Sequence, residues 1–368
     1  MKKSFEEIFE DKTKCGTKIK TERYKKCGVH PIIDQGQELV AGYTDCEEGL
    51  FEDVPVIIFG DHTRIIKYVD KPFFLGADGV KVLRSKYKDA NYRYLYYALK
   101  NAKIPDTGYN RHFKWLKNVE IKYLDAEKQS EIVEILDKVS SIINRKRQEV
   151  NLLDNLIKSR FIELFGDPKS NPMKWRRMTL KQAGIRLSDG PFGSNLKSDH
   201  YTNEGIRVIR LGNIGVGKFI DNDKSFVSYE HYKMIEKYTC RAGEIVIGTL
   251  GDPNLRACIV PEHIEFAINK ADCVHYIPKA ELLNNYFVCQ YINCPETLLL
   301  ASAMIHGQTR ARISSGQLAE LPIYIPPMEL QDQFAAFVAQ TDKSKLLVQK
   351  SLEETQQLFD ALMQKYFS

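Results

Sequence analysis

Ile121-Lys122-Tyr123-Leu124-Asp125-Ala126-Glu127-Lys128-Gln129 and Ile323-Tyr324-Ile325-Pro326-Pro327-Met328-Glu329-Leu330-Gln331 decide the fold. They align at an offset of 202 residues, and each joins a strand-like apolar run to a helix start that carries Glu-x-Gln. After the first copy, Ile132, Leu136, Val139, Ile143, Lys146, Val150, Leu153, Ile157, Arg160 and Leu164 recur at alternating spacings of four and three, which is a heptad seam. The same offset carries the seam onto Phe334, Val338, Thr341, Lys345, Val348, Leu352, Thr355, Phe359, Leu362 and Tyr366. Lys146 takes the register of Val348, and Lys345 that of Ile143, so neither seam is apolar throughout. The pattern predicts two helices of roughly 35 residues, each ~50 Å long, lying side by side around residues 140 and 345. Phe165-Gly166-Asp167-Pro168 supplies the glycine and proline that end the first helix.

Working outward, the segments before the helices also match. Val56-Ile57-Ile58-Phe59-Gly60-Asp61 corresponds to Ile245-Val246-Ile247-Gly248-Thr249-Leu250-Gly251-Asp252. Ala77-Asp78-Gly79-Val80 and Asn91-Tyr92 match Ala271-Asp272-Cys273-Val274 and Asn285-Tyr286, both at an offset of 194. β-branched runs separated by turns such as Asp189-Gly190-Pro191 and Asn213-Ile214-Gly215 predict short strands in two similar α/β (α+β) globules. The expected order is globule (1–124), long helix (125–168), globule (169–325), long helix (326–368).

The 368 residues suffice for two or three domains of ~100 to 200 residues each. Hydrophobic residues make up 43%, charged 27% and aromatic 11%, which excludes a disordered, collagen-like or membrane chain. No apolar run reaches the ~20 residues of a membrane span, and the Met1–Glu7 stretch, which carries Glu6 and Glu7 and lacks an apolar run, is no signal peptide, so a cytoplasmic protein is expected. Eight cysteines lack any CxxC pair and read as reduced, mostly buried thiols. A net charge of +5 permits nucleic-acid binding without requiring it.

The ordered motifs resemble the specificity subunits of type I restriction-modification systems. Ile323 to Gln331 resembles that family's Leu-Pro-x-Pro-Pro-x-x-Glu-Gln helix start, and Phe165-Gly166-Asp167-Pro168 its central-helix terminus. Gly190-Pro191-Phe192-Gly193-Ser194, Val208-Ile209-Arg210-Leu211-Gly212-Asn213-Ile214 and Gly243-Glu244-Ile245-Val246-Ile247 follow in the order of its recognition domains. Tyr123-Leu124-Asp125-Ala126 departs from it by lacking the prolines, and the first globule is shorter than the second. The resemblance implies two α/β target-recognition domains separated by a pair of long antiparallel coiled-coil helices, a pseudo-twofold repeat. It further implies a non-catalytic chain that reads a split double-stranded DNA sequence. Such a chain docks two modification (methyltransferase) subunits, which use S-adenosylmethionine, and through them the restriction subunits; it binds no cofactor itself. Antiparallel pairing follows from the resemblance, not from the heptads. Helix length would set the unread gap between half-sites.

Polar loops between apolar elements supply candidate DNA contacts. In the second globule these are His306, Gln308, Thr309, Arg310 and Arg312 in one stretch, Ser194, Asn195 and Lys197 after a Gly-Pro-Phe-Gly turn suited to phosphate, and Thr249 after a strand. In the first they are Tyr109, Asn110, Arg111 and His112, the cations Lys18, Lys20 and Arg23 placed for phosphate, and His62 and Arg64 after the matching strand. Arginine can grip guanine in a bidentate fashion, and asparagine or glutamine adenine. Phe73, Phe74, Tyr94, Tyr96 and Tyr97 are expected in the core.

Competing enzyme readings are weaker. Gly212-Asn213-Ile214-Gly215-Val216-Gly217-Lys218-Phe219 nearly spells a nucleotide-binding loop, but Phe219 replaces the hydroxyl that ligates Mg²⁺. Asp106, Glu120 and Lys122 satisfy the loose spacing of a PD-(D/E)xK metal-dependent endonuclease, the leading alternative. No Asn-Pro-Pro-Tyr-type tetrapeptide or GxGxxG loop for a self-contained methyltransferase is present. A helical scaffold that does not touch DNA is the third reading.

Overall fold

A computed structural model describes residues 1–76, 78–108, 110–304 and 312–368. The chain divides into two units, one formed by Met1–Arg147 with Lys350–Ser368 and the other by Gln148–Gln349. The two long helices, Ala126–Phe165 and Met328–Phe367, therefore each contribute residues to both units.

In the first unit, strand Lys2–Ser4 pairs antiparallel with Glu120–Lys122. A four-stranded antiparallel sheet runs in the order Phe9–Asp11, Val80–Ser85, Val56–Gly60, Ile66–Val69. A second sheet has Gly42–Thr44, His30–Ile33 and Phe74–Leu75, the last pair parallel. Val56 to Gly60 is buried on both faces, as its unbroken apolar run requires. Phe73, Phe74, Tyr94 and Tyr97 are buried and Tyr96 is half-buried, in keeping with their expected core placement.

The second unit repeats this plan with additions. Arg176–Thr179 pairs with Pro322–Ile325, and a four-stranded sheet runs Gly184–Ser188, Cys273–Pro278, Ile245–Gly248, Arg256–Ile259. Its other sheet has five strands, Tyr201–Thr202, Ser225–Val227, Ile206–Ile209, Phe266–Asn269 and Thr239–Arg241. The middle three reproduce the antiparallel-then-parallel pairing of the first unit's three-stranded sheet. The first globule is shorter because single bridges, Lys25 with Tyr43 and Lys18 with Leu75, stand where the second has its two outer strands, and among its described residues no helix corresponds to Tyr229–Ile235.

The repeat persists at atomic detail. Ser4 and Glu7 form a capping box, as do Thr179 and Gln182. Phe5 donates its backbone N–H to the Val119 carbonyl at 3.0 Å, and Leu180 to that of Leu321 at 3.0 Å. The recurring glutamine has a specific task. Gln129 is buried and donates Nε2 to the Leu124 carbonyl at 2.8 Å; Gln331 is buried and donates Nε2 to the equivalent Pro326 carbonyl at 2.8 Å. Gln331 also donates to Leu282 O (2.9 Å) and accepts from Asn284 N (2.8 Å), tying the helix start to the loop before helix Asn285–Asn293. Gln331→Glu keeps the shape but turns a donor into a carboxylate facing two carbonyls, so stability should fall by about 3 to 5 kcal/mol, read as a lower urea midpoint at neutral pH. An unchanged midpoint would mean that the amide is idle.

Within each unit the two helices pack side by side and run antiparallel. In the second, Asp154 forms an ion pair with Lys345, while Phe161 and Phe165, later in the chain, meet Phe334, earlier in its helix, at ring separations of 5.5 and 5.7 Å. In the first, Lys146 donates to Ser351 Oγ at 2.8 Å, and Ile132, Leu136, Val139 and Ile143 share a core with Phe359 and Met363. The expectation of neighbours at 140 and 345 needs correction: the partner of Lys345 is Asp154 and that of Lys146 is Ser351. Antiparallel helices pair positions that mirror one another, whereas the sequence repeat matches positions at constant offset. The two lysines of the seams are thereby given polar partners. Gly166, at φ +77°, provides the left-handed residue that ends the first long helix.

Five cysteines are buried, Cys15 and Cys27 are exposed and Cys46 is half-buried, all as free thiols. Among the described residues no helix is long and apolar enough to cross a membrane.

Candidate nucleic-acid interface

In both units several of the candidates gather where one strand of the four-stranded sheet ends. In the second unit that strand is Ile245–Gly248, and Thr249 follows it. The Thr249 N–H donates to the Asp272 carbonyl (3.0 Å), and its own carbonyl accepts from Ile313 N (3.0 Å). In the first unit Asp61 follows Val56–Gly60, donating its N–H to Gly79 O (2.7 Å) and accepting from His112 N (2.8 Å). The same two backbone bonds thus draw three separate loops to each strand end.

In the second unit, the loop after Gly184–Ser188 joins this end. Gly190 lies so close to the Asn269–Lys270 backbone that a Cβ there would fall 2.3 Å from the Asn269 carbonyl oxygen, so only glycine fits. Asp189 accepts backbone N–H groups from Gly190 (2.8 Å) and Asp272 (2.9 Å). Burial pushes the Asp189 carboxyl above the usual carboxylate range, against those hydrogen bonds. Ser194, Asn195 and Lys197 are exposed on the turn that follows. His231 Nε2 lies 2.9 Å from the Asn195 carbonyl, and Lys197 N donates to His200 Nδ1 at 3.2 Å, which fixes the turn's course. Arg312 is half-exposed, ion-paired with Asp272 (2.6 Å) and Asp189 (3.6 Å), and lies over the Phe192 ring. His306, Gln308, Thr309 and Arg310 lie outside the described residues.

In the first unit, Gln35 organises the corresponding end. Its side chain donates to Asp78 O (3.1 Å) and accepts from His62 N (3.2 Å), and its carbonyl accepts from Thr63 Oγ1 (2.7 Å). Lys67, almost wholly buried, donates to the Asp34 carbonyl (2.8 Å) and to that of Glu38, clamping this loop from beneath. Lys18 pairs with Asp78 (2.6 Å) and Arg64 with Asp106 (2.6 Å). A hydrogen bond from Gly108 N and then the Arg64 guanidinium hold the Asp106 carboxyl below the usual range. Asn110 and Arg111 are exposed nearby on the 106–112 loop. Lys20 and Arg23 are exposed at the short turn Thr21–Arg23, where Arg23 contacts Cys46 Sγ at 3.7 Å. Tyr109 lies outside the described residues.

Two candidates change role. His112 is 0% exposed, its ring held by the Asp61 carbonyl (3.1 Å) and the Thr107 hydroxyl (3.3 Å). Thr249 is 1% exposed and its hydroxyl donates to Asp272 O (3.2 Å). Neither can touch DNA in this conformation; both fasten loops that carry exposed candidates. Gln35, Asp78, Asp189, Asp272 and Phe192 are not marked as site residues by the sequence, although Asp189 and Phe192 stand in glycine-containing turns and Asp78 and Asp272 in matched segments.

The endonuclease alternative loses its geometry. Asp106 is committed to Arg64, and Glu120 lies 3.9 Å from Lys2 on the paired edge strand. Among the described residues no group of three His, Cys, Asp or Glu side chains is placed to hold a metal ion. The near-miss phosphate loop is a tight hairpin closed by Gly215 N to Lys218 O at 3.0 Å, and Arg256 occupies its Leu211 and Ile214 carbonyls.

A family model described as type I restriction modification DNA specificity domain matches residues 1–152 and 193–357, both copies of the repeat. The chain belongs to this specificity family. Among similar proteins, the EcoR124I/EcoR124II specificity subunit of Escherichia coli is 23% identical over 343 residues, spanning 88% of this chain and 82% of that one. The MjaVIII specificity subunit of Methanocaldococcus jannaschii is 22% identical over 318 residues, 79% and 74% of the two chains. The crystal structure of the type I system S subunit from M. genitalium superposes with a TM-score of 0.58 at 18% identity, covering 100% of this chain and 96% of that one. A chain from a structure of type I system assembly and conformational transition gives 0.51 at 16% identity, covering 100% and 97%. The specificity-subunit fold, with two α/β domains and two long helices, accounts for the whole described chain.

Proposed function

We propose that this chain is the non-catalytic specificity subunit of a type I restriction-modification complex, and that each unit reads one half of a split double-stranded DNA target. The observation that carries this reading is the duplicated strand end, where the same backbone bonds around Asp61 and Thr249 assemble exposed amides and cations. Residues 1–124 and 169–325 would be the recognition domains, and the two long helices the spacer and the docking surface. Two modification subunits, carrying S-adenosylmethionine, would dock there and recruit the restriction subunits, in the cytoplasm. The pairing of Lys18 and Arg64 with exposed carboxylates supports a face whose cations exchange protein anions for phosphates or base edges.

Selection of duplexes from a randomised pool by the full chain with its modification subunits tests the reading. Two short blocks of fixed bases separated by an unread gap are expected, with log affinity falling against log salt at about −0.9 per phosphate neutralised. A single contiguous site, or salt-independent binding, would overturn it.

A further inference from the structure

We propose that Arg312 reads a guanine in the half-site of the second unit, and that Asp272 and Asp189 are the positioning residues that aim it. This rests on the DNA-reading role above and adds to it a base and a residue.

The guanidinium is held on two sides. Asp272 Oδ1 stands 2.6 Å from Nε, and Asp189 Oδ2 stands 3.6 Å from Nη2. The Phe192 ring lies under the guanidinium plane, 5.3 Å from Cζ. The exposures order the groups from inside to outside: the side chains of Asp189 and Asp272 are 12% and 20% exposed, and that of Arg312 38%. The carboxylates therefore stand behind the arginine, and the face offered to solvent is cationic. Both carboxylates stand against the Nε/Nη2 edge, which leaves the Nη1/Nη2 end of the fork clear of them. That end presents two parallel N–H donors, the pattern that matches guanine O6 and N7 in the major groove. A lysine or a freely rotating arginine offers no such fixed pair.

The support is itself fixed. Asp189 is anchored by two backbone N–H groups, and Asp272, at a φ of +67° that aspartate tolerates, is fixed through its own N–H to Asp189 and its carbonyl to Thr249 N. The Thr249 bonds to Asp272 O and from Ile313 N pin both ends of the arrangement to the strand end. Ordering the arginine before DNA arrives removes a cost otherwise met on binding, so guanine selectivity at this position depends on the carboxylates as well as on the arginine.

Asp272→Asn is the apt substitution, because asparagine tolerates the left-handed region and keeps the shape while removing the charge. The experiment is duplex selection by the full chain in its complex, with base preference read at every position for wild type, Arg312→Ala, Arg312→Lys, Asp272→Asn and the Arg312→Ala/Asp272→Asn double variant. Guanine preference at one position of one half-site should fall about 5- to 150-fold in Arg312→Ala, and nearly as far in Arg312→Lys. Asp272→Asn should lower the same preference several-fold, and the double variant should match Arg312→Ala alone. All other positions, and the melting temperature, should hold. A uniform loss across sequences, with the salt slope reduced by about one, would make Arg312 a phosphate contact and overturn the proposal. Additive effects in the double variant would overturn the positioning role. If wild type selects no split sequence, the DNA-reading role fails first; if it does and these variants leave its preferences unchanged, only this inference fails.

Discussion

A seven-residue insertion after Arg147, matched by one after Gln349, should lengthen the preferred gap between half-sites by about three base pairs and abolish binding to the parental target. These two points are where the helices pass from one unit to the other. Seven residues turn the helix about 20° short of two full turns, so the heptad seam resumes in phase on both sides. They add about 10.5 Å of rise, and duplex DNA advances ~3.4 Å per base pair. The insertion must be paired. A single turn added after Ile143 alone would carry Lys146 away from Ser351 and leave the opposing helix unmatched. Selection from pools that differ only in gap length reads the result directly. An unchanged gap would show that the helices do not set it.

How much of this was legible in the sequence depended on whether the signal was local. The Glu-x-Gln repeat, the heptads and the apolar runs before Asp61 and Thr249 are local patterns, and they placed both long helices and the strand ends that organise the two faces. The direction of the helix pair was not legible from the residues, since a seam records which face is apolar but not the sense in which the partner runs. His112 stands in a polar loop and Thr249 follows a strand matched in the other copy, which suggests contacts; their burial is decided by backbone groups 51 and 23 residues away, those of Asp61 and Asp272. The acidic partners of Lys18, Arg64 and Arg312 were hidden for the same reason. Asp189 reads as a turn residue and Asp272 as part of a repeated segment, and only the folded chain brings them to one arginine.

Phe161→Ala should destabilise the second unit by about 3 to 5 kcal/mol, a large share of the ~5 to 15 kcal/mol that holds a typical domain. Phe161 is fully buried among Phe165, Phe287, Tyr291 and Phe334, with ring separations of 5.1 to 6.5 Å. It touches both long helices and helix Asn285–Asn293, so its removal opens a cavity that no single rotation can fill. Phe161→Leu, which retains most of the volume, should cost about 1 to 2 kcal/mol. The chain carries its own reporters, for it has two tryptophans, Trp115 in the first unit and Trp175 in the second. Trp175 donates its indole N–H to the Phe165 carbonyl at 3.0 Å, one helical turn from the substituted ring. In a Trp115→Phe background, urea unfolding followed by Trp175 fluorescence should show the lowered midpoint for Phe161→Ala and an intermediate one for Phe161→Leu. Midpoints that do not follow side-chain volume would mean that this aromatic cluster is not what binds the helix pair to the recognition domain.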